Sequence, residues 1–203
     1  MYQKYFKKVL DFNLALFLII IFLPLFLIIF SILFFSNKGK VFYNQERTTL
    51  NAKNFKLIKF VTMSEKLDSF GKLLPDSQRV TFFGRILRFT SLDEVPNLIN
   101  VVLGHMSIVG PRPLPSRYVL HMSNEQLRRF SVKSGITGLA QIRGRNNLSL
   151  SQKTKLDLFY VDNISLRVDL YIMLSTFRVI LSNKQNIELG SKSLDNYEPN
   201  FFD

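Results

Sequence analysis

The chain has 203 residues, room for one domain with a modest core, and carries 27 Lys and Arg against 15 Asp and Glu, a net charge of +12. It has no Cys and only two histidines, His105 and His121, which excludes disulfides and thiolate metal sites and argues against a multi-histidine zinc centre. A field of this sign draws phosphates, whether on nucleic acid, anionic lipid or a phosphorylated small molecule.

The first element is apolar. Residues 12–35 read FNLALFLIIIFLPLFLIIFSILFF, without a charge. That is long enough to span a bilayer and badly flanked for a cleaved signal peptide. Pro24 lies at its centre. There it removes one helical hydrogen bond and crowds the carbonyl four residues earlier, which favours a kink. Each arm is roughly 12 residues, about 18 Å at helical rise and well short of a ~30 Å hydrocarbon core. Lys4, Lys7 and Lys8 precede the segment, and Lys38, Lys40 and Arg47 follow it. Cations on both sides are best accommodated if both ends stay cytoplasmic. The expectation is a re-entrant helix–break–helix hairpin over residues 1–36, broken near Pro24. A spanning helix is the other reading, since membrane helices tolerate proline.

Residues 37–184 read as one cytoplasmic domain, and residues 185–203 as a polar tail. Val41-Phe42-Tyr43 and residues 55–61 alternate in part, with Asn51-Ala52-Lys53-Asn54 between them, which predicts a short β-hairpin. Residues 64–78, with Gly71 and Pro75, predict a surface loop. A helix is expected to lead up to Arg88, and the next to start near Asp93 and stop at Gly104. Residues 107–113 read as a rigid turn, residues 135–138 and 143–146 as tight loops, and residues 123–132 as a short basic helix. Residues 149–160 and 166–181 have helical apolar spacing, the second amphipathic enough to lie on a membrane or on the core. The fold class is α+β, mostly helical.

The densest chemistry lies in Ser91-Leu92-Asp93-Glu94-Val95-Pro96, with Arg85 and Arg88 before it and Gly110-Pro111-Arg112-Pro113 after it. Two readings of Asp93-Glu94 are open. Ser91 with Glu94 fits a capping box, or Asp93 is itself the cap with Pro96 in the first turn. Alternatively, an ionised Asp93 near a helix N-terminus attacks phosphorus and forms a covalent aspartyl-phosphate intermediate, with cations screening anion from anion. Arg112, fixed between prolines, suits bidentate phosphate binding. Arg145 has a weaker case, and Lys59 and Arg88 weaker ones still. His105 and His121 are isolated and receive no role. No P-loop or G-x-G-x-x-G occurs, and the aromatics do not interleave with basic residues as in a nucleic-acid module.

At these residues the chain resembles the bacterial sugar transferases, the monotopic phosphoglycosyl transferases. The matching pieces run in order from the basic-apolar segment at Lys7-Lys8 to Pro24 through Gln45-Glu46-Arg47, Lys59-Phe60-Val61-Thr62-Met63, residues 88–101 around Asp93-Glu94, residues 104–113 ending in Gly110-Pro111-Arg112-Pro113, Gly135-Ile136-Thr137-Gly138-Leu139-Ala140-Gln141, and Gly144-Arg145. The small single-domain members acting on a UDP-diacetamido sugar are the nearest in form. The resemblance implies a re-entrant helix at the bacterial inner membrane, a site on the cytoplasmic face, and Mg²⁺ held by Asp93 and Glu94. It also implies transfer of a sugar-1-phosphate from a UDP-sugar to undecaprenyl phosphate with release of UMP. Asp93 would be the nucleophile, Glu94 a base or metal-associated carboxylate, and Lys59, Arg88, Arg112 and Arg145 would hold phosphates. The chain departs from the pattern at His105 and Ser134, where Asp and Pro are usual, at Val61, usually Arg or Lys, at Thr49, usually Gly, and at Leu23, usually small or polar. The competing function is a membrane-anchored basic protein that binds polyanions without catalysis, which the +12 charge motivates.

Overall fold

The computed structural model describes residues 2–144 and 148–181. It is mostly helical, as the apolar spacing predicts, with two small sheets. After a helical turn at Tyr2–Phe6, α1 runs as one helix over Lys7–Ser36. Thirty residues at helical rise make it about 45 Å long. The expected interruption at Pro24 is absent: the helix continues through it, since a single proline costs one backbone bond without ending the helix.

One face of α1 is docked along its whole length. Ala15 is buried with Phe55, Leu57, Leu98, Val101, Ile108 and Ile172, and Leu14, Leu18 and Ile19 pack against that cluster. Ile29 and Leu33 are buried in a second cluster with Val41, Phe60 and Leu87, flanked by Leu25 and Phe26. Polar side chains fasten the start of the helix. Lys7 Nζ donates to Asp169 at 2.7 Å, the Tyr160 hydroxyl donates to the other Asp169 oxygen at 2.7 Å, and Asp11 accepts from the Ser107 hydroxyl at 2.6 Å and from the Ile108 amide. The opposite face of α1, including Phe17, Ile20, Ile21, Leu27 and Ile28, is exposed. An apolar face left bare at this scale marks a surface made for something other than water.

β1 (Phe42–Thr48) and β2 (Asn54–Phe60) form the expected hairpin, paired from Phe42↔Phe60 to Thr48↔Asn54. Asn51 and Ala52 make the turn with positive φ. The loop of residues 61–75 leads to α2 (Asp76–Arg79) and α3 (Phe82–Thr90). α3 presses on the segment after β2: a Cβ at Gly84 would lie 2.0 Å from the Thr62 carbonyl oxygen. Gly84→Ala is therefore expected to cost about 1–3 kcal/mol and to pull Arg88 from Thr62, read as a lower unfolding midpoint together with weaker UDP-sugar binding.

α4 (Asn97–Val102) follows, ended by Gly104 at φ +78. Two fully buried side chains on α4 tie it to β2. Asn97 Oδ1 accepts from the Ile58 amide, and Asn100 Nδ2 donates to the Lys56 carbonyl.

β3 (Ser107–Val109) and β4 (Gly135–Thr137) pair in parallel, where the sequence reads as a turn and a tight loop. Three-residue strands are too short to show alternation, and the glycines beside them serve close approach. A Cβ on Gly135 would lie 2.1 Å from the Gly110 nitrogen, and one on Gly138 would lie 2.2 Å from the Gly110 oxygen.

Between the two strands lie α5 (Asn124–Leu127), capped by Ser123, and a 3-10 turn over Arg128–Ser131. α6 (Leu139–Arg143), α7 (Leu150–Asp162) and α8 (Leu166–Leu181) close the domain. α8 buries Ile172 and exposes Leu170, Leu174 and Phe177, so it serves the core on one face and leaves the other apolar. The tail from residue 185 lies outside the described residues, as does Arg145.

Candidate active site

Lys59 occupies the end of the core-facing row of β2. Phe55 and Leu57 on that row are buried, and Lys59 comes next, where the core gives way to the site. The α4 asparagines hold the preceding turn against this strand end. That turn is a 3-10 helix over Leu92–Glu94, entered through Ser91 in a left-handed conformation.

The capping reading does not hold. Ser91 makes no side-chain cap, α4 begins only at Asn97, and Pro96 stands at its N-cap position without a side-chain bond. Glu94 is engaged elsewhere: one oxygen accepts from Lys59 Nζ at 2.6 Å and from Arg112 Nη2 at 3.1 Å. Burial by itself would raise the Glu94 pKa. The two cations overcome that and hold the carboxyl well below the usual range.

Asp93 is the reverse case. Among the described residues its carboxylate has no hydrogen bond or ion pair, yet Lys59, Arg88 and Arg112 lie close enough to act on it. Burial and the neighbouring Glu94 charge push its pKa up to about 6, against the pull of those three cations. The helix dipole expected to keep it ionised does not set its charge, because α4 is six residues long and starts beyond it.

Arg88, in the last turn of α3, donates from Nε to the Thr62 hydroxyl at 2.9 Å, which leaves its outer nitrogens free of that bond. Arg112 follows β3, and its guanidinium is half-exposed while its backbone is fixed. The Pro111 carbonyl accepts from the Gly135 amide, and the Arg112 carbonyl accepts from Arg129 Nη2 at 2.9 Å. Five of the six expected side chains therefore converge, from β2, α3, the 92–94 turn and the loop after β3.

Several contributors are not legible in the sequence. Arg129, in the 128–131 turn, pairs with Asp157 of α7 at 2.6 Å, both side chains 2% exposed. This pair stands directly behind the Arg112 backbone. Lys153, one turn before Asp157, is half-buried, and burial together with the nearby Arg112 charge lowers its pKa. Asn97 and Asn100 tie α4, which follows the 92–94 turn, to β2 beside Lys59. The S-x-x-x-K-x-x-x-D spacing of Ser149, Lys153 and Asp157 resembles an ordinary polar helix face, and no local signal marks it.

No three His, Asp or Glu side chains gather into a metal cage among the described residues. Mg²⁺ does not need one, because one or two carboxylates plus substrate phosphates suffice. The unpaired Asp93 carboxylate beside Glu94 fits that donor set.

If ionised Asp93 acts as the nucleophile, kcat/KM is expected to rise with pH through about 6 and level off above, with roughly tenfold lower values one unit below the bend. Arg88→Gln removes a charge that lowers the Asp93 pKa, so the bend should move to higher pH. A pH–rate profile of both proteins checks this, and a bend unmoved by the substitution would separate Arg88 from Asp93.

A partly buried, unpaired carboxylate among three cations, beside a long apolar helix, suits nucleophilic displacement at phosphorus. The bacterial sugar transferase pattern matches residues 2–183, and the chain belongs to that family. It is 43% identical over 175 residues to the sugar transferase EpsL of Bacillus subtilis, covering 86% of this chain and 87% of that one. It is 37% identical over 179 residues to the exopolysaccharide production protein ExoY of Rhizobium meliloti, covering 80% and 79%. It is also 36% identical over 186 residues to a UDP-glucose:undecaprenyl-phosphate glucose-1-phosphate transferase of Klebsiella pneumoniae, covering 84% of this chain but 39% of that larger protein.

Proposed function

We propose that this chain transfers a sugar-1-phosphate from a UDP-sugar to undecaprenyl phosphate at the cytoplasmic face of the bacterial inner membrane, with Asp93 as nucleophile. The observation that carries this is the contrast within the carboxylate pair: among the described residues Glu94 is ion-paired with two cations and Asp93 with none. In the first step an Asp93 oxygen bonds to the β-phosphorus while the bond from that phosphorus to the bridging oxygen breaks, and UMP leaves with the electron pair. In the second step a phosphate oxygen of the polyprenol attacks the same phosphorus. The aspartyl–phosphorus bond breaks, Asp93 returns as a carboxylate, and the product is a polyprenyl diphosphate sugar.

Lys59, Arg88 and Arg112 bind and orient the phosphates. Glu94 fixes Lys59 and Arg112 in place rather than acting as a base, since its carboxyl is held below the usual range and a phosphate acceptor in its dianionic form has no proton to lose. Mg²⁺, held by the Asp93–Glu94 pair, would neutralise phosphate charge. Arg145 remains a proposed phosphate ligand on the strength of the family resemblance.

The relatives' names point to two sugars besides the acetamido class. The Klebsiella pneumoniae protein is named for glucose-1-phosphate, and a relative from Erwinia amylovora, 33% identical, for galactose. Incubation with undecaprenyl phosphate and a panel of UDP-glucose, UDP-galactose, UDP-N-acetylglucosamine and a UDP-diacetamido sugar, with UMP as readout, tests the reaction and chooses the sugar. The reading of a non-catalytic polyanion binder predicts no UMP from any of them.

The packing of α1 supports one topology. Its two arms pack on two clusters of the same domain, and Lys7 and Asp11 bond to it, contacts that favour both helix ends on one side of a bilayer. Both ends are therefore proposed to face the cytoplasm, with the exposed face of α1 in lipid. Cysteines at Gln3 and Lys38 should both react with an impermeant reagent from the cytoplasmic side. Reaction from opposite sides would make α1 a spanning helix.

A further inference from the structure

A second basic pocket lies at the far end of the hairpin from Asp93. It has a volume of about 200 Å³ and is lined by Thr49, Asn51, Lys53, Gly104, His105 and Lys133 among others. Lys53, just before β2, and Lys59, near its end, are six residues apart, about 20 Å at strand rise, so the pocket is separate from the active site.

Its charges are unbalanced. Neither Lys53 nor Lys133 has a carboxylate partner among the described residues, and no acidic side chain lines the space. The Lys133 ammonium reaches over Gly104, 3.5 Å from where a Cβ there would sit. Lys133 is half-buried and feels the cations Lys8 and Lys7 at the start of α1, offset in part by the Asp11 carboxylate there. The nearest carboxylates are already engaged: Asp11 accepts from Ser107 and Ile108, and Glu46 accepts from the Asn54 amide. His105 turns toward the Asn100 side chain at 3.4 Å and brings no negative charge. A concave site with two unpaired ammonium groups, polar Asn51 and Thr49 beside them, and no anion of its own is complementary to a phosphate group.

We propose that this pocket binds a phosphate-bearing ligand, either a lipid headgroup or a soluble phosphate. Its neighbours Lys7 and Lys8 stand where α1 begins, which places it within reach of headgroups if α1 lies in the membrane. The inference does not rest on the transferase reading, since it uses none of the residues around Asp93.

Pyridoxal 5′-phosphate, an aldehyde carrying a phosphate, with borohydride reduction and peptide mapping, tests it on the full chain. In neutral detergent, Lys133 or Lys53 is expected to be labelled at least tenfold faster than exposed Lys66 and Lys72, and pyrophosphate should protect it. His105→Asp, which puts a carboxylate into the pocket, should abolish the preference. The same labelling in nanodiscs separates the sources: protection by phosphatidylglycerol relative to phosphatidylcholine identifies a lipid headgroup, and protection by soluble pyrophosphate alone identifies a free phosphate. Labelling no faster than at Lys66, or a preference that persists in His105→Asp, would overturn the proposal.

Discussion

Replacing Asp93 with Asn is expected to lower sugar-phosphate transfer by at least about 10³-fold, because a neutral amide cannot form the phosphorus–oxygen bond on which both steps depend. The same substitution should stabilise the folded protein. The Asp93 pKa is raised in the folded state to about 6, mainly by burial and then by Glu94. A group raised in this way favours folding while protonated. Its contribution is present below the unfolded carboxylate pKa of about 4 and is lost as pH rises through about 6. At pH 8 the wild-type chain therefore holds an unfavourable carboxylate that Asn does not, a difference of about 1–2 kcal/mol after allowance for its partial exposure. The thermal midpoint of Asp93→Asn in detergent should exceed that of wild type at pH 8 and converge with it toward pH 4. A variant that is inactive and also less stable at pH 8 would point to misfolding, not to a lost nucleophile. Undiminished UMP release would end the covalent mechanism.

Arg129→Met is expected to be the most destabilising single change in the domain. It strands Asp157, 2% exposed, with no cation at bonding distance, and an unpaired buried charge costs about 3–5 kcal/mol. The pair is imperfectly satisfied even when intact. Among the described residues Arg129 Nε and Nη1 and one Asp157 oxygen are buried without a hydrogen-bond partner, and burial pushes Asp157 up to about 6 against the pull of Arg129 and Lys153. Removing both charges, as in Arg129→Met with Asp157→Leu, should therefore recover most of the stability, since a buried ion pair and a well-packed apolar pair are often nearly equal. Recovery should not extend to function. The double variant lacks the donor to the Arg112 carbonyl, and its KM for the UDP-sugar is expected to rise about tenfold while the Asp93-dependent pH bend stays in place. A double variant with wild-type KM would show that the pair serves stability alone.

Legibility followed the range of each interaction. Asp93, Glu94, Arg88 and Arg112 stand in short blocks whose composition is unusual in itself, so they could be picked out one by one. The β1–β2 hairpin and the helices α7 and α8 were visible because each is long enough to repeat its apolar period. What the chain did not display locally was the sorting of the carboxylates. Ser91-x-x-Glu94 satisfies a capping pattern, and nothing nearby says that Lys59, 35 residues earlier, will take the Glu94 carboxylate instead. The β3–β4 pair was hidden for a related reason: three residues carry no period, and the glycines that permit their approach also read as loops. Arg129 and Asp157, 28 residues apart, look like surface charges until the fold closes over them.

By itself, then, the sequence determined a basic chain with an apolar N-terminal segment, a β-hairpin followed by helices, and an Asp-Glu pair near a proline-flanked arginine. Those properties depend on composition and on neighbours within a few turns of chain. Tertiary structure alone decided which carboxylate is free and which is pinned, that α1 passes unbroken through Pro24 with both arms on one domain, and that Arg129 stands behind Arg112. Each of these depends on burial and on partners brought from distant segments, and charge, desolvation and packing acquire their values only once those segments meet.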